Sequence, residues 1–191
     1  MDERSPDIRV TILGSGTCVP SLTRSSCSVL VESGGGKWLI DCGPGTLRRM
    51  LEAGTTILEI SHLFFSHLHP DHTAELVPLL FATKYPDGIG RTGPLTVVAG
   101  QGFADFMERL KNVYGHWIDI GSDYLKIAEM DTRGPDHREF EGVRVDSAPM
   151  EHSPQSVAFR LTGPGGRSVV YSGDTDYSEQ LVTLAAGADL L

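Results

Sequence analysis

The chain has 191 residues, 40% of them hydrophobic and 21% charged, enough for one domain (1–191) with a full core. Its 25 acidic residues outnumber 16 basic ones, and the formal charge of -9 argues against a general polyanion-binding surface. Residues 1–6 are polar, without the apolar core of a signal peptide, and no apolar run approaches membrane-spanning length.

Residues 8–13 alternate and are β-branched enough to open the chain with a strand. The turn Gly14-Ser15-Gly16-Thr17 is read as tight packing rather than as a dinucleotide cradle. The third glycine of G-x-G-x-x-G would fall on Val19, and no helix pattern follows. Residues 27–32 and 37–41 predict a hairpin through Gly34-Gly35-Gly36. Asp41 closes that hairpin beside glycines; it suits equally a plain turn former and an acceptor that fixes a histidine tautomer. Residues 46–53 predict a helix closed by Gly54, and 57–66 a strand. Residues 71–83 predict one helix with Leu76, Leu79 and Leu80 on a shared face despite Pro78. Residues 95–99 are strand-like, and 102–113 helical with Phe103, Phe106 and Leu110 inward. Strands at 124–130 and 143–150 flank a polar turn at 131–139, and 157–161 with 168–171 form a hairpin around Gly163-Pro164-Gly165-Gly166. A short helix at 178–186 precedes 188–191, which reads as the start of another apolar strand. Hairpins in both halves with interspersed helices imply an α/β fold of two mixed sheets with helices outside. Cys18, Cys27 and Cys42, odd in number and without CxxC spacing, fit a reduced, cytoplasmic chain.

The stretch His67-Leu68-His69-Pro70-Asp71-His72 carries the chemistry. Three imidazoles and a carboxylate this close are costly unless something pairs them, and a divalent metal does so well. In extended backbone His67 and His69 point the same way and can grip one ion, whereas Asp71 and His72 are better placed for a neighbouring one. Asp71 also reads as a helix cap. His152 follows the 143–150 strand at once, and Asp174 follows the 168–171 strand; both are rigid strand ends. Taken alone, His152 would more often be a surface or core histidine and Asp174 a turn residue. His62, His116 and His137 lack such context and read as surface or packing residues.

Five stretches, Leu13-Gly14-Ser15-Gly16-Thr17, Trp38-Leu39-Ile40-Asp41-Cys42-Gly43, the 67–72 cluster, His152 and Ser172-Gly173-Asp174-Thr175, resemble in order the metallo-β-lactamase superfamily. Within it the chain looks like the ribonuclease Z-like phosphodiesterase branch. The resemblance implies a four-layer αβ/βα sandwich with a dinuclear site at one edge. It matches His67, His69 and His152 to the first metal, Asp71 and His72 to the second, and Asp174 to a bridging carboxylate. The ions implied are two divalent metals, zinc first, with manganese or iron also compatible. The chemistry implied is a metal-held hydroxide attacking a phosphodiester, with Asp71 also accepting a proton. A small cyclic phosphate or nucleotide is the first expectation for substrate. A tRNA 3′-processing endonuclease, a lactone or thioester hydrolase, and a catalytically impaired metal-binding domain are the alternatives. RNA ranks lower because tRNA-processing members often carry a long arm between the positions matching His152 and Asp174, where this chain has one hairpin. The family's last histidine has no counterpart after His152, so the chain reads as C-terminally incomplete. An unfinished sheet edge would favour pairing into a homodimer. The insert at 84–93 reads as a lid or rim loop.

Overall fold

A computed structural model describes residues 7–85 and 90–191 of the chain. The first of two sheets contains, in spatial order, β1 (Ile8–Gly14), β2 (Ser28–Ser33), β3 (Gly36–Ile40), β4 (Ile60–Phe65), β5 (Leu95–Gly100) and β6 (Leu125–Met130). Strands β1, β2 and β3 pair antiparallel, and β3 through β6 pair parallel. The second sheet contains β7 (Asp136–Phe140), β8 (Val143–Pro149), β9 (Val157–Thr162) and β10 (Ser168–Tyr171), in the order β10-β9-β8-β7. Only the first sheet is mixed, since every named pair of the second is antiparallel. Parallel neighbours need a long crossover, and only short connections separate β7 through β10.

The helices are α1 (Thr46–Glu52), α2 (Pro70–Thr73), α3 (Leu76–Lys84), α4 (Phe103–Tyr114) and α5 (Glu179–Ala185). Strand alternation sorts the core into three layers of contact. Leu39, Leu63, Phe65 and Val97 pack on Met50, Leu76, Leu80 and Phe103 of the helices outside the first sheet. Their neighbours Trp38, Ile40, Phe64 and Val98 point the other way, onto Val145, Phe159 and Leu161 of the second sheet. Beyond that sheet, Ala148, Met150 and Ala158 meet Leu181 and Leu184 of α5. Helix, sheet, sheet and helix give the four-layer sandwich, and each buried Leu or Phe contributes roughly 1.5–3 kcal/mol to it. Among the described residues no helix is long and apolar enough to cross a membrane.

Four expectations need correction. The strand expected at 57–66 begins as a 3₁₀ turn, Ile57–Glu59, because Thr56 and Glu59 close a reciprocal capping box there. The helix expected at 71–83 is two helices, broken at Glu75, whose carboxylate accepts from the backbone N–H of Gly45 and Leu47. Pro78 is the third residue of α3, where a missing N–H forfeits no helical bond. The polar turn at 131–139 contains β7, an edge strand with His137, Arg138 and Glu139 exposed, so no apolar alternation marks it. Residues 188–191 make only an isolated bridge, Leu190 to Val169. The loop expected at 84–93 lies partly outside the described residues.

Candidate metal centre

Four chain segments deliver side chains to one edge of the sandwich. Asp41 follows β3, Ser66 to His72 follow β4, His152 follows β8 and Asp174 follows β10. The parallel pairing of β3 with β4 puts the first two ends side by side. The Val157 N–H bonds Ser66 O at 2.8 Å and ties the second sheet to the loop that carries the histidines. Two glycines permit the approach. A side chain at Gly43 would overlap the Asp71 carbonyl oxygen, and one at Gly173, where φ is +59°, would run into Ser66 Oγ.

Three imidazoles converge. His69 Nδ1 is 3.1 Å from His67 Nε2 and 3.1 Å from His152 Nε2. Zinc–nitrogen bonds of about 2.0–2.1 Å in a tetrahedron separate the nitrogens by about 3.3 Å, so this spacing fits one such ion. The hydrogen-bond network also sets the tautomer of His67. Ser66 Oγ donates to Asp41 Oδ2 at 2.8 Å and therefore accepts from His67 Nδ1–H at 3.1 Å, which leaves Nε2 as a free lone pair. Burial, then the charge of His72, lowers the His67 pKa to about 4, so the ring is neutral as a ligand must be.

A second grouping shares His67. Its ring, His72 and Asp174 bring ligand atoms within 4.8 Å of one another. His72 Nε2 lies 3.6 Å from Asp174 Oδ1 and 3.7 Å from Asp71 Oδ2. These donors, two imidazoles and the Asp174 carboxylate with Asp71 beside them, suit a divalent cation of the zinc, manganese or iron type. The other nitrogen of His72, Nδ1, is 2.7 Å from Asp41 Oδ2. Burial works against a charged His72 ring, yet the Asp41 hydrogen bond and the charges of Asp41, Asp174 and Asp71 raise its pKa overall.

Asp41 is fully buried and holds φ at +57°. Its Oδ1 accepts the Ser66 N–H at 2.8 Å, and its Oδ2 accepts from Ser66 Oγ, His72 Nδ1 and the Tyr171 hydroxyl. Of the two readings its sequence context allowed, the acceptor that orients a histidine is the one it fills. Ser66, Tyr171 and Cys27 belong to the same network, and none of them carries a spacing signal in the sequence. His62 packs among Trp38, Phe64 and Phe140, while His116 and His137 lie on the surface away from the cluster.

A two-sheet αβ/βα sandwich with a histidine-rich cluster at its edge defines a metallo-β-lactamase-fold hydrolase related to ribonuclease Z. A ribonuclease Z of Mycobacterium bovis (strain BCG / Pasteur 1173P2) is 33% identical over 195 residues, covering 96% of this chain and 69% of that protein. The metallo-β-lactamase fold protein YhfI of Bacillus subtilis superposes with a TM-score of 0.77 at 21% identity, covering 96% of this chain and 69% of that one. The short form of human tRNase Z superposes with a TM-score of 0.78 at 24% identity, covering 95% and 75%. Residues 8–189 match the family model described as anti-Pycsar protein Apyc1, and the chain belongs to that family.

Proposed function

We propose that this chain hydrolyses a small cyclic phosphodiester, a cyclic nucleotide above all, in a reaction that depends on two divalent metal ions. The observation that carries the reading is the convergence of three imidazoles, with His69 Nδ1 3.1 Å from both His67 Nε2 and His152 Nε2, and a second group of His67, His72 and Asp174 beside them. Membership of the anti-Pycsar family supports a cyclic nucleotide as the substrate. In this reading His67, His69 and His152 hold one ion, Asp71 and His72 hold the other, and Asp174 lies between them. Zinc is the first candidate. When bound, such ions supply Lewis acidity at the phosphate and lower the pKa of water nearby.

The chain's own groups do the rest. Asp71 takes the proton of the attacking water, a role open to a carboxylate whose side chain is 18% exposed. His67 stays neutral through burial and so offers a lone pair rather than a repelling charge. Asp41 and Ser66 hold the rings of His72 and His67 without touching substrate.

A second reading, tRNA 3′-end processing, is favoured by the 33% identity to a ribonuclease Z. Against it stand the net charge of -9 and the interval between His152 and Asp174, which holds only the β9–β10 hairpin. Zinc- or manganese-loaded protein should be offered cyclic mononucleotides, a tRNA precursor, a lactone and a thioester. Release of nucleoside monophosphate, abolished by His67→Ala, is the expected result. Cleavage of the tRNA precursor with intact cyclic nucleotides would replace this reading with the second. Turnover of none of the four by metal-loaded protein would end the claim of catalysis.

A further inference from the structure

The hydroxyl of Tyr171, at the end of β10, lies 2.7 Å from Asp41 Oδ2 and 3.1 Å from Cys27 Sγ. A phenol has one proton and a carboxylate only accepts, so that proton goes to Asp41. The contact to Cys27 is then made by the thiol proton bonding the phenol oxygen. A chain results: Cys27 to Tyr171 to Asp41, with His72 Nδ1–H on the same carboxylate oxygen at 2.7 Å. Burial, followed by the charge of Asp41, pushes the phenol far above its ordinary range, and burial also raises the Cys27 thiol. Both groups therefore remain protonated donors across the working pH range.

We propose that Tyr171, backed by Cys27, is a positioning residue for metal binding, its hydroxyl fixing the Asp41 carboxylate so that His72 presents Nε2 toward Asp71 and Asp174. The inference rests on the two-metal reading above. A carboxylate torsion is broad and roughly two-fold, so its setting depends on its donors. Ser66 holds Oδ1 and shares Oδ2, but it belongs to the same loop as His72 and moves with it. Tyr171 is the donor from the opposite sheet, 130 residues away, and it anchors the carboxylate to a separate body of the fold. Its ring packs at the edge of the core between the sheets, and phenylalanine keeps that packing while removing the hydroxyl.

Zinc is titrated into the whole 191-residue chain in competition with a chelator of known affinity. Wild-type protein should take two equivalents. Tyr171→Phe should keep one at wild-type affinity and bind the other about 10-fold more weakly, the usual size of a lost outer hydrogen bond. In zinc-loaded, ¹⁵N-labelled protein, the His72 Nδ1 proton should exchange with water faster in Tyr171→Phe than in wild type. Cys27→Ala should weaken the same equivalent by about twofold, and it serves if Tyr171→Phe does not fold. Wild-type affinity at both equivalents with an unchanged His72 proton would overturn the proposal. Equal weakening of both, in step with a lower melting temperature, would also overturn it, because that is the mark of packing alone. Failure of the wild-type protein itself to bind a second equivalent would sink the two-metal reading, and this inference with it.

Discussion

Asp41 gathers four hydrogen bonds in a fully buried position, one of them from the imidazole of His72. A buried carboxylate without such donors would be expensive to keep charged, so its donors and its charge sustain one another. Asparagine tolerates the left-handed backbone at φ +57° about as well as aspartate, which makes Asp41→Asn a test of the charge rather than of the turn. The new amide nitrogen would face donors, with no lone pair to offer. Asp41→Asn should lose about 3–5 kcal/mol in urea unfolding, the range for breaking a buried charged pair. Its zinc affinity at the His72 position should fall about 10- to 100-fold in chelator competition. Unaltered zinc binding in that variant would mean that His72 needs no partner at Nδ1. At this scale the gathering of these side chains was legible, because His67, His69, Asp71 and His72 fall within six residues and His152 and Asp174 follow strand ends. Ser66, Tyr171 and Cys27 were not. Their partner Asp41 lies 25 and 130 residues from the first two, and a Ser or Tyr in a strand pattern looks like any other.

Elements aim these residues, and β4 leads directly from its capped start into the loop that carries the histidines. Lys37 Nζ of β3 reaches Glu59 Oε1 at 2.7 Å, and Glu59 also closes the capping box with Thr56 before β4 begins. The Lys37 hydrogen bond, then the Thr56 N–H, lowers the Glu59 pKa from 4.5 to about 2. A carboxyl whose folded pKa is depressed stabilises the fold above its unfolded value and loses that contribution as pH falls toward the folded value. Glu59→Gln should therefore be less stable than wild type at neutral pH, by under about 1 kcal/mol for so exposed a pair. The gap should close between pH 4.5 and about 2. Urea midpoints at pH 7, 4 and 2.5 check this; a gap that is constant with pH would assign the effect to packing. Most strands were legible at this scale from alternation, since Leu39 and Trp38 face different cores. β7 was not, because an exposed edge strand carries charge where a buried one carries apolar residues. The break between α2 and α3 was hidden too, since Glu75 reads as an ordinary helical residue until the N–H groups of Gly45 and Leu47 recruit it.

Across the whole molecule, the cluster joins two sheets that otherwise meet through apolar packing. His67 and His69 extend from the first sheet, and His152 and Asp174 from the second. An ion held by both would act as a cross-brace on the interface that contains Trp38, Phe64 and Phe159. It would also place positive charge at the point where a chain of net charge -9 brings Asp41, Asp71 and Asp174 together. A ligand that binds only the folded state stabilises it by RT ln(1 + [L]/Kd), about 2.7 kcal/mol per site at a hundredfold excess over Kd. For a chain of this length that corresponds to on the order of 5–10 °C in melting temperature. Zinc added to chelator-treated wild-type protein should produce a rise of that size or more. His152→Ala should melt close to wild type without metal, because the side chain is exposed, and should lose the share of the zinc-induced rise that comes from the three-histidine group, about half of it. Thermal melts of both proteins with chelator and with zinc distinguish the cases. The same rise in His152→Ala would mean that zinc takes no ligand from His152, leaving Asp174 as the second sheet's contact with the ion or packing alone to hold the sheets together.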